Sequence, residues 1–272
     1  MKVDFVDGNI IVTDVECFSL ALSLDCGQAF RWRQNAGVWR GVVKDKELFV
    51  SQEKEKLIFY NLKKDDLPFW IKYFDLERDY RGILDTLMCD ESLNTACREY
   101  YGIRILRQEP WEALCSFIIS SNNNIPRIKG IIERLCRLFG NRISEEAWAF
   151  PTVKQLSHLS PEDLAPIRAG FRSKYIVDAV QKINKEEVSL ERIKGLAYED
   201  AKLELMKIKG VGEKVADCAL LYGFNYLETF PKDVWVKRVL SELYPEGLPE
   251  CVNGYKGIAQ QYLFHWRRNR TN

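Results

Sequence analysis

Residues 203–218 read LELMKIKGVGEKVADC, and this stretch decides the fold of the chain. Apolar residues recur at helical spacing before Gly210 and after Gly212, which predicts helix, tight turn, helix. The glycines let the backbone turn sharply, and the second helix begins with N–H groups that lack a partner within the helix. Such a helix start attracts phosphate. A plain turn between two helices would give the same pattern, so the residues that follow must decide.

The residues after the glycines carry chemistry. Lys214 lies in the first turn of the second predicted helix and shares a face with Cys218, four residues on. A helix dipole disfavours a charged amine there by only about 0.3–1 kcal/mol, which is too little to make a lysine nucleophilic. A carboxylate base or loss of water must supply the rest. Asp217 and Asp233 are the candidate carboxylates, and we expect a capping or ion-pair role for Asp217.

Two different sequence patterns predict two domains. Short β-rich runs between turn residues are typical of an antiparallel meander, and they occupy 10–12, 29–33, 38–43, 48–50 and 57–60. Apolar residues at spacings of three and four predict helices at 69–73, 84–88, 93–101, 111–119, 125–139, 173–185, 198–207, 213–223, 234–243 and 253–266. Ser160, followed by Pro161, predicts one more helix start. The fold class is therefore α+β, with an N-terminal antiparallel β domain at 1–92 and a larger all-α domain at 93–272.

Composition excludes several classes of protein without naming a function. The 272 residues are 46% hydrophobic and 29% charged, as in ordinary globular proteins, and the formal net charge of +1 restricts any nucleic-acid site to a local patch. No signal peptide and no run of about 18 apolar residues is present, so we expect a cytoplasmic protein that is not secreted and has no membrane partner. If the source is bacterial, we expect association with the nucleoid. The eight scattered cysteines predict reduced thiols.

The segments 208–218, IKGVGEKVADC, and 230–234, FPKDV, together resemble the helix-hairpin-helix DNA glycosylases, and more narrowly the 8-oxoguanine DNA glycosylases. The resemblance implies a bifunctional DNA glycosylase/AP lyase of base excision repair that flips 8-oxoguanine out of duplex DNA. It implies that Lys214 attacks the sugar C1′ and forms a Schiff base before β-elimination, and that Asp233 assists. Alone, Lys214 would be a solvated lysine and Asp233 a cap for the helix at Val234; the combined motif favours catalysis.

Further matches to the same family imply how the base is recognised. The segment 26–32, CGQAFRW, resembles the loop whose glycine carbonyl, here that of Gly27, accepts the N7–H that 8-oxoguanine has and guanine lacks. Gln260 and Phe264 match the residues that bond the edge of the flipped base and stack on its face. Without the resemblance, Cys218 and Phe264 would be ordinary core residues. The implied base-recognition set is Gly27, Cys218, Pro231, Gln260 and Phe264.

The segments 120–127, SSNNNIPR, and 170–175, GFRSKY, resemble the parts that fill the gap and read the widowed cytosine. The implied residues are Asn122, Arg127, Phe171 and Arg172. The implied contacts with DNA phosphates come from Gly210, Gly212, Val215 and Trp235. Three positions depart from the family pattern, namely Lys209 for proline, Phe171 for tyrosine and Trp235 for histidine. Lys209 adds a candidate phosphate contact, whereas the other two bear on partner-strand discrimination and one phosphate contact, so we expect a looser preference for cytosine.

The resemblance also implies what the protein binds. We expect a monomer whose partner is double-stranded DNA with 8-oxoguanine, preferably opposite cytosine. No cofactor is required, and only Cys251 follows Cys218, so we expect no iron–sulfur cluster. No catalytic metal is expected, but a structural cation on the carbonyls of the hairpin is, at Met206, Ile208 and Val211.

Three alternatives compete with this interpretation. The first is a related glycosylase for oxidised pyrimidines or mispaired adenine, and the second is a non-catalytic DNA-binding module that uses the hairpin as a phosphate clamp. The third, a cysteine–histidine hydrolase, is poorly supported because the chain has only His158 and His265, outside any motif.

Overall fold

The computed structural model describes residues 1–270, so the last two residues of the expected all-α domain, 271 and 272, lie outside it. The strands are β1 (Lys2–Val6), β2 (Asn9–Thr13), β3 (Trp32–Asn35), β4 (Val38–Val43), β5 (Lys46–Glu53) and β6 (Lys56–Tyr60). The helices are α1 (Leu20–Asp25), α2 (Leu67–Tyr73), α3 (Tyr80–Leu87), α4 (Glu91–Glu99), α5 (Pro110–Ser120), α6 (Ile125–Phe139), α7 (Val153–Leu156), α8 (Arg172–Asn184), α9 (Leu190–Ile193), α10 (Tyr198–Met206), α11 (Glu213–Phe224), α12 (Val234–Leu243) and α13 (Lys256–Asn269). The predicted α+β class is confirmed. The boundary at 92/93 stays a prediction.

The strands form one antiparallel sheet in the order β1-β2-β6-β5-β4-β3. The meander is confirmed for β3 to β6, where two-residue turns join neighbouring strands. Strand β1 was missed, although Asp7-Gly8 is a strong hairpin signal and polar and apolar residues alternate from Lys2 to Phe5; all five of its residues are exposed. The expected run 29–33 begins too early, since β3 starts at Trp32.

Two apolar cores hold the molecule together. One lies between the sheet and α2, where Trp32 and Trp70 pack edge to face and the Trp32 indole donates to the Tyr73 hydroxyl at 2.9 Å. The other lies among the helices and includes the buried face of α11 packed against α5, a helix that is buried along most of its length. Because α11 begins at the hairpin, this packing fixes where Lys214 stands.

Buried arginines join the β-rich part to the helices. The Arg31 guanidinium pairs with Glu112 of α5 at 3.2 Å, and both side chains are largely buried. Arg104 donates to the carbonyls of Glu16 and Asp75 at 2.7 and 2.6 Å. The loop from Cys26 to Phe30 therefore lies at the junction of the two cores.

Every expected helix with apolar spacing overlaps an observed one, but the helix expected at Ser160 is wrong. The capping bond does form, with the Ser160 N–H donating to Asp163 at 2.9 Å. The chain then makes a turn and a short 3-10 helix, Ala165–Ile167, instead of an α-helix. Pro166 explains this difference, because it has no N–H and its ring would clash with the carbonyl four residues earlier.

Within residues 1–270, no helix combines the length and the apolar character needed to cross a bilayer.

Candidate active site and nucleic-acid interface

The hairpin between α10 and α11 forms as expected, and its two glycines differ in role. Gly210 has φ +80°, and a side-chain carbon there would lie 2.2 Å from the Tyr175 ring, so its close approach is to α8. Gly212 has open space around it. It precedes the first residue of α11 and offers no side-chain cap, which leaves the first-turn N–H groups, that of Val215 included, free to bind an anion.

Lys214 is partly buried in the first turn of α11. Its Nζ lies 5.3 Å from the centroid of the Phe117 ring of α5. Cys218 lies one turn further along, and burial raises the pKa of its thiol to about 11 although the nearby Lys214 charge acts against this. Cys218 therefore stays a neutral thiol, and the amine of Lys214 is the candidate nucleophile on this face of α11.

Asp233 caps α12, where its Oδ1 accepts the Val236 N–H at 2.8 Å. Burial raises the pKa of this carboxyl group, while the Val236 N–H and the Lys214 charge act to lower it. The two side chains are thus electrostatically coupled, yet no direct ion pair joins them in the described part of the chain. Both groups remain available to a third molecule placed between them.

Asp217 is committed elsewhere. It accepts the Tyr198 hydroxyl at 2.7 Å and pairs with Lys202 at 3.4 Å, so the expected ion-pair role is confirmed. Burial raises the pKa of its carboxyl, opposed by the Tyr198 hydrogen bond. A cleft of about 330 Å³ opens beside Asp217 and Lys214, and further lysines on its walls are Lys202, Lys232, Lys237 and Lys256. Its five lysines outnumber the carboxylates of Glu213, Asp217 and Glu228 on the same walls, which gives a local excess of positive charge for a polyanion.

Two of the residues expected to recognise the base, Gln260 and Phe264, lie on α13, and Gly27 lies close to Phe264. Gln260 is 4% exposed, and its Oε1 accepts no hydrogen bond within residues 1–270, so a buried acceptor is left for a ligand. Gly27 has φ +87°, and a side-chain carbon on it would lie 3.6 Å from the Phe264 ring. The space between Gly27 and Phe264 is therefore closed, and a purine enters only if Phe264 moves. Pro231 is also buried, and it lies two residues before Asp233 in the sequence.

The residues expected to face the widowed base fall into two groups. Asn122, Arg127 and Phe171 are exposed, and Asn122 has φ +48°. Arg172 is only 2% exposed and donates to the carbonyls of Ser121 and Asn122 at 2.6 and 2.7 Å. Its guanidinium is therefore hydrogen-bonded to the backbone of the turn at Asn122. These hydrogen bonds hold the turn in place. A contact between Arg172 and the orphaned base stays a prediction.

Trp235 lies in the first turn of α12, partly buried, with the Arg238 guanidinium 5.0 Å from the centroid of its ring. Trp235 therefore lies two residues after Asp233. Its contact with a phosphate stays a prediction. In the hairpin, the Ile208 carbonyl accepts the Val211 N–H at 3.1 Å, and the Lys182 ammonium binds the Lys207 carbonyl. One of the carbonyls expected to bind a cation, that of Ile208, therefore already accepts a hydrogen bond within the chain.

Sequence reasoning missed the side chains that support these groups. Phe117 beneath Lys214 gave no signal, since it is one apolar residue in an apolar helix. Tyr222 and Gln261 form a buried hydrogen bond at 2.5 Å behind the base site. Arg268, one turn after Phe264, has its guanidinium 5.8 Å from that ring. The only sequence signal for Gln261 and Arg268 was their position, one residue after Gln260 and four residues after Phe264.

Comparison with known proteins places the chain among DNA repair enzymes. The family model described as 8-oxoguanine DNA glycosylase, N-terminal domain, matches residues 10–114, and the one described as HhH-GPD superfamily base excision DNA repair protein matches residues 115–247. The N-glycosylase/DNA lyase of Saccharomyces cerevisiae is 34% identical over 255 residues, which cover 83% of this chain and 68% of the yeast protein.

Two further relatives cover more of their own length. The probable N-glycosylase/DNA lyase of Methanothermobacter thermautotrophicus is 34% identical over 261 residues, 84% of this chain and 83% of that protein. Clostridium acetobutylicum 8-oxoguanine glycosylase/lyase, solved with double-stranded DNA containing cytosine opposite 8-oxoguanine, superposes with a TM-score of 0.92. It is 37% identical, and the match covers 100% of this chain and 99% of that one.

Proposed function

Because the chain belongs to the 8-oxoguanine DNA glycosylase family of the HhH-GPD superfamily, we propose that it excises 8-oxoguanine from duplex DNA. It is a DNA N-glycosylase with AP lyase activity that acts in base excision repair, as a monomer. One observation carries the proposal: a lysine, a buried thiol and a carboxylate with a raised pKa meet beside an uncapped helix start.

Binding begins at the DNA backbone. The free N–H groups at the start of α11 and the open space at Gly212 receive a phosphate, and Trp235 contacts another. The fixed turn at Gly210 sets the position of this site. A structural cation on the carbonyls of Met206, Ile208 and Val211 would add positive charge at the same phosphate, and no step of the reaction depends on it.

The flipped base then enters beside α13. The Gly27 carbonyl accepts the N7–H of 8-oxoguanine, whereas guanine would present a lone pair to that oxygen. The buried amide of Gln260 bonds the edge of the base, and Phe264 moves away from Gly27 to stack on its face. Cys218 and Pro231 complete the walls of the slot.

The chemistry passes through a covalent intermediate. The neutral amine of Lys214 attacks C1′, the C1′–N9 bond breaks, and the base leaves with a proton. Asp233 stabilises the positive charge that develops on the sugar, accepts a proton from the attacking amine and passes that proton to the departing base. Ring opening gives an imine between Lys214 and C1′, and loss of a C2′ proton then expels the 3′ phosphate by β-elimination.

The partner strand is read at the exposed turn. Asn122 and Arg127 offer donors and an acceptor to the orphaned cytosine, and Phe171 is the apolar wedge beside them. Arg172 holds the Asn122 turn in place. Because Phe171 lacks a hydroxyl group, we expect cytosine to be preferred but other bases to be accepted.

The experiment is an excision assay with four duplexes, each with 8-oxoguanine opposite a different base, and an undamaged duplex as the control. We expect release of free 8-oxoguanine and strand cleavage in all four damaged duplexes, fastest opposite cytosine, and far slower release of guanine from the undamaged duplex. Binding of the damaged duplex without release of the base would instead identify a DNA-binding module.

A further inference from the structure

The recognition loop, residues 26–28, is held from both sides by buried amides. The side chain of Gln28 is fully buried, and its Nε2 donates to the carbonyls of Ser23 and Arg104 at 2.9 and 2.7 Å. Its Oε1 accepts the Leu106 N–H at 2.9 Å. Gln28 therefore acts as a structural bridge, and its amide is not available to a ligand.

The carbonyl groups on either side of Gly27 are also occupied. The Cys26 carbonyl accepts Gln261 Nε2 at 3.2 Å, and the Gln28 carbonyl accepts Gln108 Nε2 at 2.7 Å. The Gly27 carbonyl accepts no hydrogen bond from residues 1–270. The loop thus presents one free acceptor, whose direction depends on the bonds at its two neighbours.

The other end of Gln261 leads back to the nucleophile. Gln261 Oε1 accepts the hydroxyl of Tyr222 at 2.5 Å, and burial keeps the pKa of this hydroxyl far above its usual range, so Tyr222 remains a donor. The Tyr222 ring stacks on Phe117, with centroids 5.1 Å apart and planes inclined by 19°. Phe117 in turn contacts Lys214, whose Nζ lies 5.3 Å from the centroid of the Phe117 ring.

We propose that Gln261 and Tyr222 are positioning residues that hold the free Gly27 carbonyl in register with Lys214 and so set the discrimination between 8-oxoguanine and guanine. The inference rests on the proposed function. It concerns how one hydrogen bond is made selective, and it assigns the role to a pair that touches neither the base nor the sugar.

Energetics favour a positioning role over simple core packing. A buried amide and a buried phenol lose water when they enter the core, and an apolar pair of similar shape would fill the same space at lower cost. What the polar pair adds is direction, since a fully satisfied buried network permits one arrangement. The two purines differ at N7 by a donor and a lone pair, so discrimination falls when the acceptor can turn away.

The test uses a variant that removes both partners, Gln261→Leu with Tyr222→Phe, so that no polar atom of the pair is left unsatisfied. Three quantities are measured: the melting temperature, cleavage at a preformed abasic site, and the ratio of kcat/KM for 8-oxoguanine to that for guanine opposite cytosine. Abasic-site cleavage needs Lys214 but no base recognition. Tyr226→Phe is the matched control, because its hydroxyl bonds the carbonyls of Ile193 and Leu196 away from the loop.

We expect the double variant to fold and to cleave abasic DNA within about threefold of the wild type, while the discrimination ratio falls about tenfold or more, a loss of the size of one directed hydrogen bond. The control should leave the ratio unchanged. Two results would overturn the inference: an unchanged ratio, or an equal loss of excision and abasic-site cleavage. A wild-type protein that cleaves abasic DNA but releases no 8-oxoguanine would instead refute the proposed function, and the inference with it.

Discussion

Asp233 combines its observed structural role with the chemical role that we propose for it, and the two have opposite effects on stability. As the cap of α12, it bonds the Val236 N–H, which stabilises the helix. Its burial raises the pKa of the carboxyl group, so folding disfavours the ionised form that the reaction uses. The charge at this position is therefore kept for catalysis at some cost in stability, a pattern expected where two demands meet at one residue.

Replacement of Asp233 by asparagine separates the two roles, because asparagine caps a helix as well as aspartate does but carries no charge. A carboxyl with a raised folded-state pKa stabilises the fold at low pH and loses that contribution as the pH rises through the folded value. We therefore expect Asp233→Asn to melt at a higher temperature than the wild type at pH 7, while base release is slowed about 10²-fold or more.

Melting curves between pH 3 and pH 8 check this expectation. The difference in melting temperature should vanish below the ordinary aspartate range of about 3.9, where both side chains are neutral. A variant that is less stable than the wild type at pH 7 and more stable in acid would contradict the assigned direction of the pKa shift.

At the scale of single residues, motifs predicted the candidate catalytic residues and missed the side chains that pack against them. Lys214 and Cys218 lie one helical turn apart, so the sequence alone places them on one face of α11. Phe117 comes beneath Lys214 only because α5 packs against α11, a contact between residues far apart in the chain. The burial of Arg172 was equally hidden, since its partners are backbone carbonyls about 50 residues earlier.

The hairpin is the element whose geometry the account needs most. A methyl group at Gly210 would meet the Tyr175 ring at 2.2 Å, and its φ of +80° is unfavourable for any residue with a side chain. Gly212 has φ −94° and no neighbour within contact distance, so a methyl group there is tolerated by the fold.

We expect Gly210→Ala to lower the free energy of unfolding by about 2 kcal/mol or more, and Gly212→Ala to leave it nearly unchanged. Both variants should bind duplex DNA more weakly, the first through the displaced hairpin and the second through the methyl group at the phosphate site. Urea unfolding and DNA titration of the pair measure these effects. Equal losses of stability in the two variants would show that the close approach to Tyr175 is unimportant.

Elements were predictable where local rules act alone. The helix α12 was predicted with its bounds, because its cap and its apolar spacing agree. The helix expected at Ser160 failed because Pro166 blocks continuation of the first turn. Strand β1 was missed because it is a short edge strand whose apolar residues Val3 and Phe5 are exposed, so its alternation of polar and apolar residues marks no buried face.

Across the whole molecule, the buried pair of Arg31 and Glu112 joins the β-rich part to α5. Burial raises the pKa of Glu112, and the Arg31 charge opposes that rise, so the carboxylate depends on its partner. The pair of Arg33 and Glu133 offers a comparison, since both of its side chains are mostly exposed.

We expect Glu112→Gln to destabilise the protein by about 3–5 kcal/mol, because it leaves a buried guanidinium without a counter-charge. Glu133→Gln should cost less than about 1 kcal/mol, since its pair is screened by water. Chemical denaturation of the two variants under the same conditions gives both numbers. A loss at Glu133 as large as that at Glu112 would contradict the view that burial decides which pair joins the domains.

The α+β class followed from local pattern, but the relation between the two domains did not. The recognition loop at residues 26–28 belongs in sequence to the β-rich part, yet its bonds reach Gln108 and Gln261. No rule based on spacing predicts contacts over 80 and 235 residues of chain. The family resemblance suggested Gly27 as a site, and the structure adds that the carbonyls of its two neighbours are both hydrogen-bonded.

The central claim is that the amine of Lys214 bonds to the sugar of a flipped nucleotide. Its most direct test is to mix the protein with a duplex carrying 8-oxoguanine opposite cytosine, to reduce with borohydride, and to map the adduct by mass spectrometry. The account predicts a covalent adduct on residue 214, lost in Lys214→Gln while DNA binding survives, and kept in Lys185→Gln, which changes an exposed lysine at the end of α8. An adduct that forms in equal yield without Lys214, or that maps to another residue, would contradict it.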